Sequence, residues 1–200
     1  MPSLDNVVLE SSYAFVYKTD VTIIGGIFVV LISQTDIGDL YPFFNTQTAE
    51  MYGLCSVLLN GSEEVTDLVI GNNVCPFENV TAFDLSVYPR LKTLSIGNNA
   101  FSYVNVLNIT GLNELESVVI GKNSFTKFKN TAPSSSVTYR SFYLKKCPEL
   151  REITIGSYSF SDYSVIEIDS VNALETIVMD GSYNFYKSSL ELRSSCSNTG

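Results

Sequence analysis

Few side chains in this sequence have chemistry to offer. Its 200 residues include no histidine, four cysteines, and twenty-one acids against twelve Lys and Arg. Without an imidazole there is no Ser-His-Asp or Cys-His relay to activate a nucleophile, and no His-containing zinc site. The cysteines stand at 55, 75, 147 and 196 with no C-x-x-C pair, a spacing that does not suit zinc. In an oxidising compartment they allow three disulfide pairings, and spacing alone does not choose among them. What remains is a pair of carboxylates for glycoside hydrolysis. Asp84, Glu167 and Glu191 are the acids to consider, but that chemistry also needs basic or metal-binding partners clustered with them. No such cluster assembles from the sequence. The expectation is therefore no enzyme, no cofactor, no metal, and no catalytic residue.

Charge narrows the partners. The net charge is −9, and residues 1–64 carry eight acids and one Lys, for −7. An acidic chain without a basic stripe excludes electrostatic nucleic-acid binding. The opening "MPSLDNVVLE" has neither the basic start nor the apolar run of a signal peptide. The most apolar stretch, "VTIIGGIFVVLIS" at 21–33, is thirteen residues long, against about twenty for a membrane-spanning helix. A soluble chain without a membrane span is expected, its compartment unassigned. Three sequons, at Asn60, Asn79 and Asn108, point only weakly to the outside of the cell.

The elements that position these groups are announced by repetition. "LKTLSIGNNAF" (91–101) returns as "LESVVIGKNSF" (115–125) and "LREITIGSYSF" (150–160), with variants "VTDLVIGNNVC" (65–75) and "LETIVMDGSYNF" (174–185). A catalytic motif needs one copy, whereas a stacked structural unit needs many. In each copy the second half alternates apolar and polar residues, which predicts a short strand with one face buried. Its inward columns are Leu68, Leu94, Val118, Ile153, Ile177 and Ile70, Ile96, Ile120, Ile155, Met179.

A second repeat interleaves with the first, with inward pairs Phe83/Leu85, Leu107/Ile109, Phe142/Leu144, Ile166/Ile168 and Leu190/Leu192. From Phe83 to Leu94 is eleven residues and from Leu94 to Leu107 thirteen, a rhythm broken only by an eleven-residue insertion before Phe142. Each coil thus holds about 24 residues and two short strands, a solenoid period. Gly71, Gly97, Gly121 and Gly156 follow the strands, where left-handed backbone is expected. Asn73, Asn99 and Asn123 stand two residues later, placed to bond backbone groups of adjacent coils. Cys75 and Cys147 occupy apolar columns and read as buried structural thiols.

The tandem L-x-x-L-x-I-x-x-N-x-F resembles the leucine-rich repeat superfamily, and its G-x-N-S-F ending most resembles BspA-type and related protist repeat proteins. The resemblance covers about residues 65–193. It implies a right-handed, mostly-β leucine-rich-repeat solenoid, and a non-catalytic scaffold for protein binding or adhesion to a protein or cell-surface ligand. The division expected is 1–20 as a partial terminal repeat, where "LDNVVLESSYAF" (4–15) reads as a tail-end copy; 21–62 as an irregular connecting segment; and 63–200 as the solenoid, with a surface loop at about 127–139. The chain reads as a fragment of a longer array with end-to-end contact to further repeats. In leucine-rich repeats the first strand of each coil lines the ligand-facing side. By resemblance, the partner-binding face is then Thr93, Ser117, Glu152 and Thr176 (with Asp67), beside Val69, Ser95, Val119, Thr154 and Val178. The alternatives are a purely structural array segment and a polysaccharide-active β-helix.

Overall fold

Strands form where the alternation places them. The computed structural model describes residues 55–56, 58–128, 139–181, 183–186 and 188–193. The expected partial repeat at 1–20, most of the connecting segment and residues 129–138 of the insertion lie outside them. Ten strands follow in order: β1 (Asp67–Ile70), β2 (Ala82–Asp84), β3 (Thr93–Ile96), β4 (Val106–Thr110), β5 (Ser117–Ile120), β6 (Ser141–Lys145), β7 (Glu152–Gly156), β8 (Val165–Asp169), β9 (Thr176–Asp180) and β10 (Ser189–Arg193). The odd strands form one sheet, A, and the even strands a second, B, each ordered along the chain. Every pairing is parallel and keeps the columns in step, as in Leu94 opposite Val118 and Val118 opposite Ile153. The fold is a mostly-β solenoid of about four turns.

Burial explains why the register holds. Leu68, Leu94, Val118 and Ile153 are buried, as are Ile70, Ile96, Ile120 and Ile155, and sheet B turns Phe83, Leu107, Phe142 and Ile166 toward them. A slip of one residue would send every one of these side chains into solvent. After the turns that follow β3, β5, β7 and β9 a phenylalanine returns to the core, where Cys75 stands in the first coil. Phe101, Phe125, Phe160 and Phe185 stack in file, with ring centroids 5.0–5.3 Å apart. Among these strands the exception is Leu85, which is buried on a 3-10 turn (Leu85–Val87) that follows β2.

The glycines act differently from the expectation. Gly71, Gly97, Gly121 and Gly156 do not take positive φ; the left-handed residues of these turns are Asn73, Asn99, Asn123 and Tyr158, and again Cys75, Phe101, Phe125 and Phe160. What the glycines allow is contact between coils. A Cβ on Gly97 would lie 2.6 Å from the Gly71 carbonyl carbon, one on Gly121 2.5 Å from that of Gly97, and one on Gly156 2.6 Å from that of Gly121. The asparagine ladder is also shifted by one residue. Asn72 accepts from the Asn98 amide and Asn98 from the Lys122 amide, both at 2.7 Å, while Asn123 donates to the Asn99 side chain. Asn99 and Asn123 supply the left-handed backbone that asparagine tolerates.

Two further expectations are corrected. Cys75 is buried but not a thiol, because it forms a disulfide with Cys55. Cys147 is the buried free thiol among the described residues, and burial raises its pKa. Residues 55–56 and 58–60 are helical, and Cys55 and Leu58 are buried over the first coil. The Tyr88 hydroxyl donates to the Leu58 carbonyl at 2.7 Å, and burial pushes its pKa up to about 12. At the opposite end Ile177 and Met179, assigned to the core, are 36% and 42% exposed because β9 is the outermost strand of sheet A.

Candidate functional site

The outer face of sheet A gathers the nine candidate residues. Because Leu68, Ile70 and their counterparts point inward, the alternate residues of each strand must point out. Parallel pairing aligns them in two ranks across the sheet. One is Asp67, Thr93, Ser117, Glu152 and Thr176; the other is Val69, Ser95, Val119, Thr154 and Val178. All ten are half-buried or exposed, and Val119 and Val178 are the large apolar residues of the face that stand most open, at 38% and 44%. The second rank carries no charge. In the first, the Asp67 carboxylate accepts from the hydroxyls of Thr66 and Thr93. Ion pairs flank the ranks at Lys92–Glu114 (3.9 Å) and Lys122–Asp180 (3.8 Å). Both are exposed, so they contribute little stability.

This face offers shape rather than reactivity. The ladder already occupies the backbone groups between strands, so the face presents the side chains of the two ranks. Among the described residues no three Cys, Asp or Glu side chains gather to hold a metal ion, and no helix is long and apolar enough to cross a membrane.

Sheet B differs. Its outward side chains are already engaged with one another: Asn108 donates to Asp84 at 3.1 Å, Thr110 to Asn108, and Lys145 lies 2.8 Å from Glu167 and over the Tyr143 ring. Asp84 and Glu167 are separated by β4 and β6, about 14 Å at the usual strand spacing, which is wider than the carboxylate pairs of glycosidases. A shallow depression of about 430 Å³ lies over Asp84, Val106, Asn108, Tyr143 and Lys145. Nothing in the repeat pattern signals it, because concavity depends on how the coils stack.

Sequence reasoning also missed a buried ion pair at the base of the insertion. Arg140 and Asp162 are 4% and 6% exposed and meet at 2.6 Å. The same Asp162 oxygen accepts from the amides of Lys127 and Phe128, and Arg140 donates to the carbonyls of Ser102 and Val104. Tyr163 packs beneath the guanidinium and donates to Val104 at 2.6 Å; its burial raises its pKa. A signal existed. Arg140 stands where the other coils have Thr81, Asn105 and Ser164, and the odd charge falls at the end of the insertion.

No known protein family, curated protein or solved structure matches this chain. The class its fold defines is a parallel β-solenoid with two strands per coil.

Proposed function

We propose that this protein is a non-catalytic scaffold of leucine-rich-repeat type that binds a protein or cell-surface ligand on the outer face of sheet A. The observation that carries the reading is the rank Val69, Ser95, Val119, Thr154 and Val178, held in register across five strands, with Val119 and Val178 exposed and the other three half-buried. Uncharged, mostly small side chains on a rigid sheet lose little conformational entropy when covered, and they let a partner approach closely. The charges beside the rank, such as Lys92 and Lys122, act at the rim, where they govern encounter rate more than affinity. Sheet B spends its polar groups on internal contacts, which leaves fewer for a ligand.

The test begins with capture of ligands from arrays of extracellular proteins and glycans. Val119→Arg should then abolish capture while leaving circular dichroism and melting temperature unchanged, because the position already faces solvent. Val106→Arg, equally exposed on sheet B, should leave capture intact. The reverse pattern would move the ligand to the depression on sheet B.

A further inference from the structure

Three sequons, at Asn60, Asn79 and Asn108, take no part in binding a ligand on sheet A. The fold separates them. Asn60 ends the short helical stretch 58–60, and Gly61 after it takes φ +70°. Gly61 lies so close to Val87 that a Cβ would fall 2.3 Å from that side chain, which places Asn60 on the arc leading from sheet B back to sheet A. Asn79 stands at the tip of a turn on the opposite arc, where the Val80 amide donates to the Phe77 carbonyl at 3.0 Å. Asn60, Ser62, Asn79 and Thr81 are all exposed. The Ser62 hydroxyl accepts from the Glu64 amide at 3.3 Å and keeps its own proton to donate. Thr81 is held through its carbonyl, which accepts from the amides of Asn105 and Val106, so its hydroxyl is not part of the ladder.

Asn108 is placed differently. It lies half-buried in the middle of β4, with Asp84 on one flanking strand and Tyr143 on the other. Its Nδ2 donates to Asp84 at 3.1 Å, and its Oδ1 accepts from the Thr110 hydroxyl at 2.5 Å. The amide and the hydroxyl that define this sequon are therefore spent inside the sheet. The compartment follows from a separate observation. Cys55 and Cys75 form a disulfide, a bond that persists in oxidising, secretory environments. There Asn-x-Ser/Thr on a surface loop is an acceptor of N-linked glycans. Asn60 follows Cys55 by five residues and Asn79 follows Cys75 by four, so the two open sequons flank the two ends of this bond.

We propose that Asn60 and Asn79 each carry an N-linked glycan and that Asn108 does not. The donor is an oligosaccharide held on a polyprenyl pyrophosphate. Transfer forms a bond between the asparagine Nδ2 and C1 of the first sugar and breaks the bond from C1 to the pyrophosphate oxygen. The amide gives up one proton, the lipid pyrophosphate leaves with the electron pair, and nothing is oxidised or reduced. Such glycans are bulky and solubilising. Here they emerge from the two arcs of the capped end, so the outer ranks of sheet A stay uncovered. A glycan on Asn108 would instead disturb the contacts with Asp84 and Thr110 and fill the depression on sheet B.

The test uses the full chain isolated from the cells that make it and digested without reduction. Mass spectrometry that retains the first sugar on its asparagine should find glycans on Asn60 and Asn79, a bare Asn108, and Cys55 joined to Cys75. Retaining the sugar also distinguishes a glycan from spontaneous conversion of Asn60 to aspartate before Gly61. In the same cells Ser62→Ala should remove the glycan at Asn60, and Thr81→Ala the glycan at Asn79, each lowering the mass of the chain by one glycan. Asn60→Gln with Asn79→Gln should leave a chain whose gel mobility no glycan-removing amidase changes. A bare Asn60 or Asn79 in the parent protein overturns the proposal. So does a glycan on Asn108, since exposure in the fold would then not select the sites, and so do free thiols at Cys55 and Cys75.

Discussion

Gly121 carries no side chain because the backbone of Gly97 occupies the place one would take. The same holds from Gly97 to Gly71 and from Gly156 to Gly121, so the column sets the distance between coils. Gly121→Ala forces backbone against backbone, where no rotamer can relieve the contact. It should cost roughly 1–3 kcal/mol, read as a lower melting temperature with an unchanged spectrum. The Arg140–Asp162 pair poses a different problem at the same scale. Asp162→Ala strands a buried guanidinium, and breaking one side of such a pair costs about 3–5 kcal/mol. It also frees the Lys127 and Phe128 amides that anchor the insertion. Limited proteolysis of Asp162→Ala should therefore cut next to residues 127–128 earlier than in the parent protein, before any cut within β3–β5.

A single strand of four or five residues has no stability of its own; each is held by the strand before it and the one after it. Ile120 in β5 contacts this logic directly, lying between Ile96 and Ile155 in a buried column. Ile120→Asp places an unpaired charge there, at a cost of several kcal/mol. Because repeat stability is shared through neighbour interfaces, β3 and β7 should lose hydrogen-exchange protection together with β5. Loss confined to β5 would mean the columns do not share a core. Such columns were legible in the sequence because a period-2 pattern repeated every 24 residues leaves one consistent register. The candidate face was legible for the same reason: once Leu94 and Ile96 are inside, Thr93 and Ser95 must be outside. Contacts between coils were not legible. Whether Gly97 is needed for its φ or for its missing Cβ depends on the spacing of neighbouring backbones, and so does whether Asn98 or Asn99 reaches the next coil. The Cys55–Cys75 bond was hidden because Cys55 lies outside the repeat, where no column assigns it a neighbour.

A solenoid differs from a globular domain in having two ends, each of which must be kept from fraying or from pairing with another chain. Here the first end is closed covalently. The Cys55–Cys75 bond joins residues 20 apart in sequence, and closing a loop of that size restricts the unfolded chain by about 3 kcal/mol. It also holds Leu58 over Val65, Leu68 and Tyr88, in one continuous buried cluster. The stabilisation is local, because a coil touches only its neighbours. Cys55→Ser, or reduction of the parent protein, should therefore lower the melting temperature and release protection chiefly in β1 and β3, the strands nearest the cap. Strands β5, β7 and β8 should keep their exchange rates at temperatures well below the transition. A uniform loss of protection across all strands on reduction would mean that the stack melts as one cooperative body, and that the cap supports the whole molecule rather than its first coil.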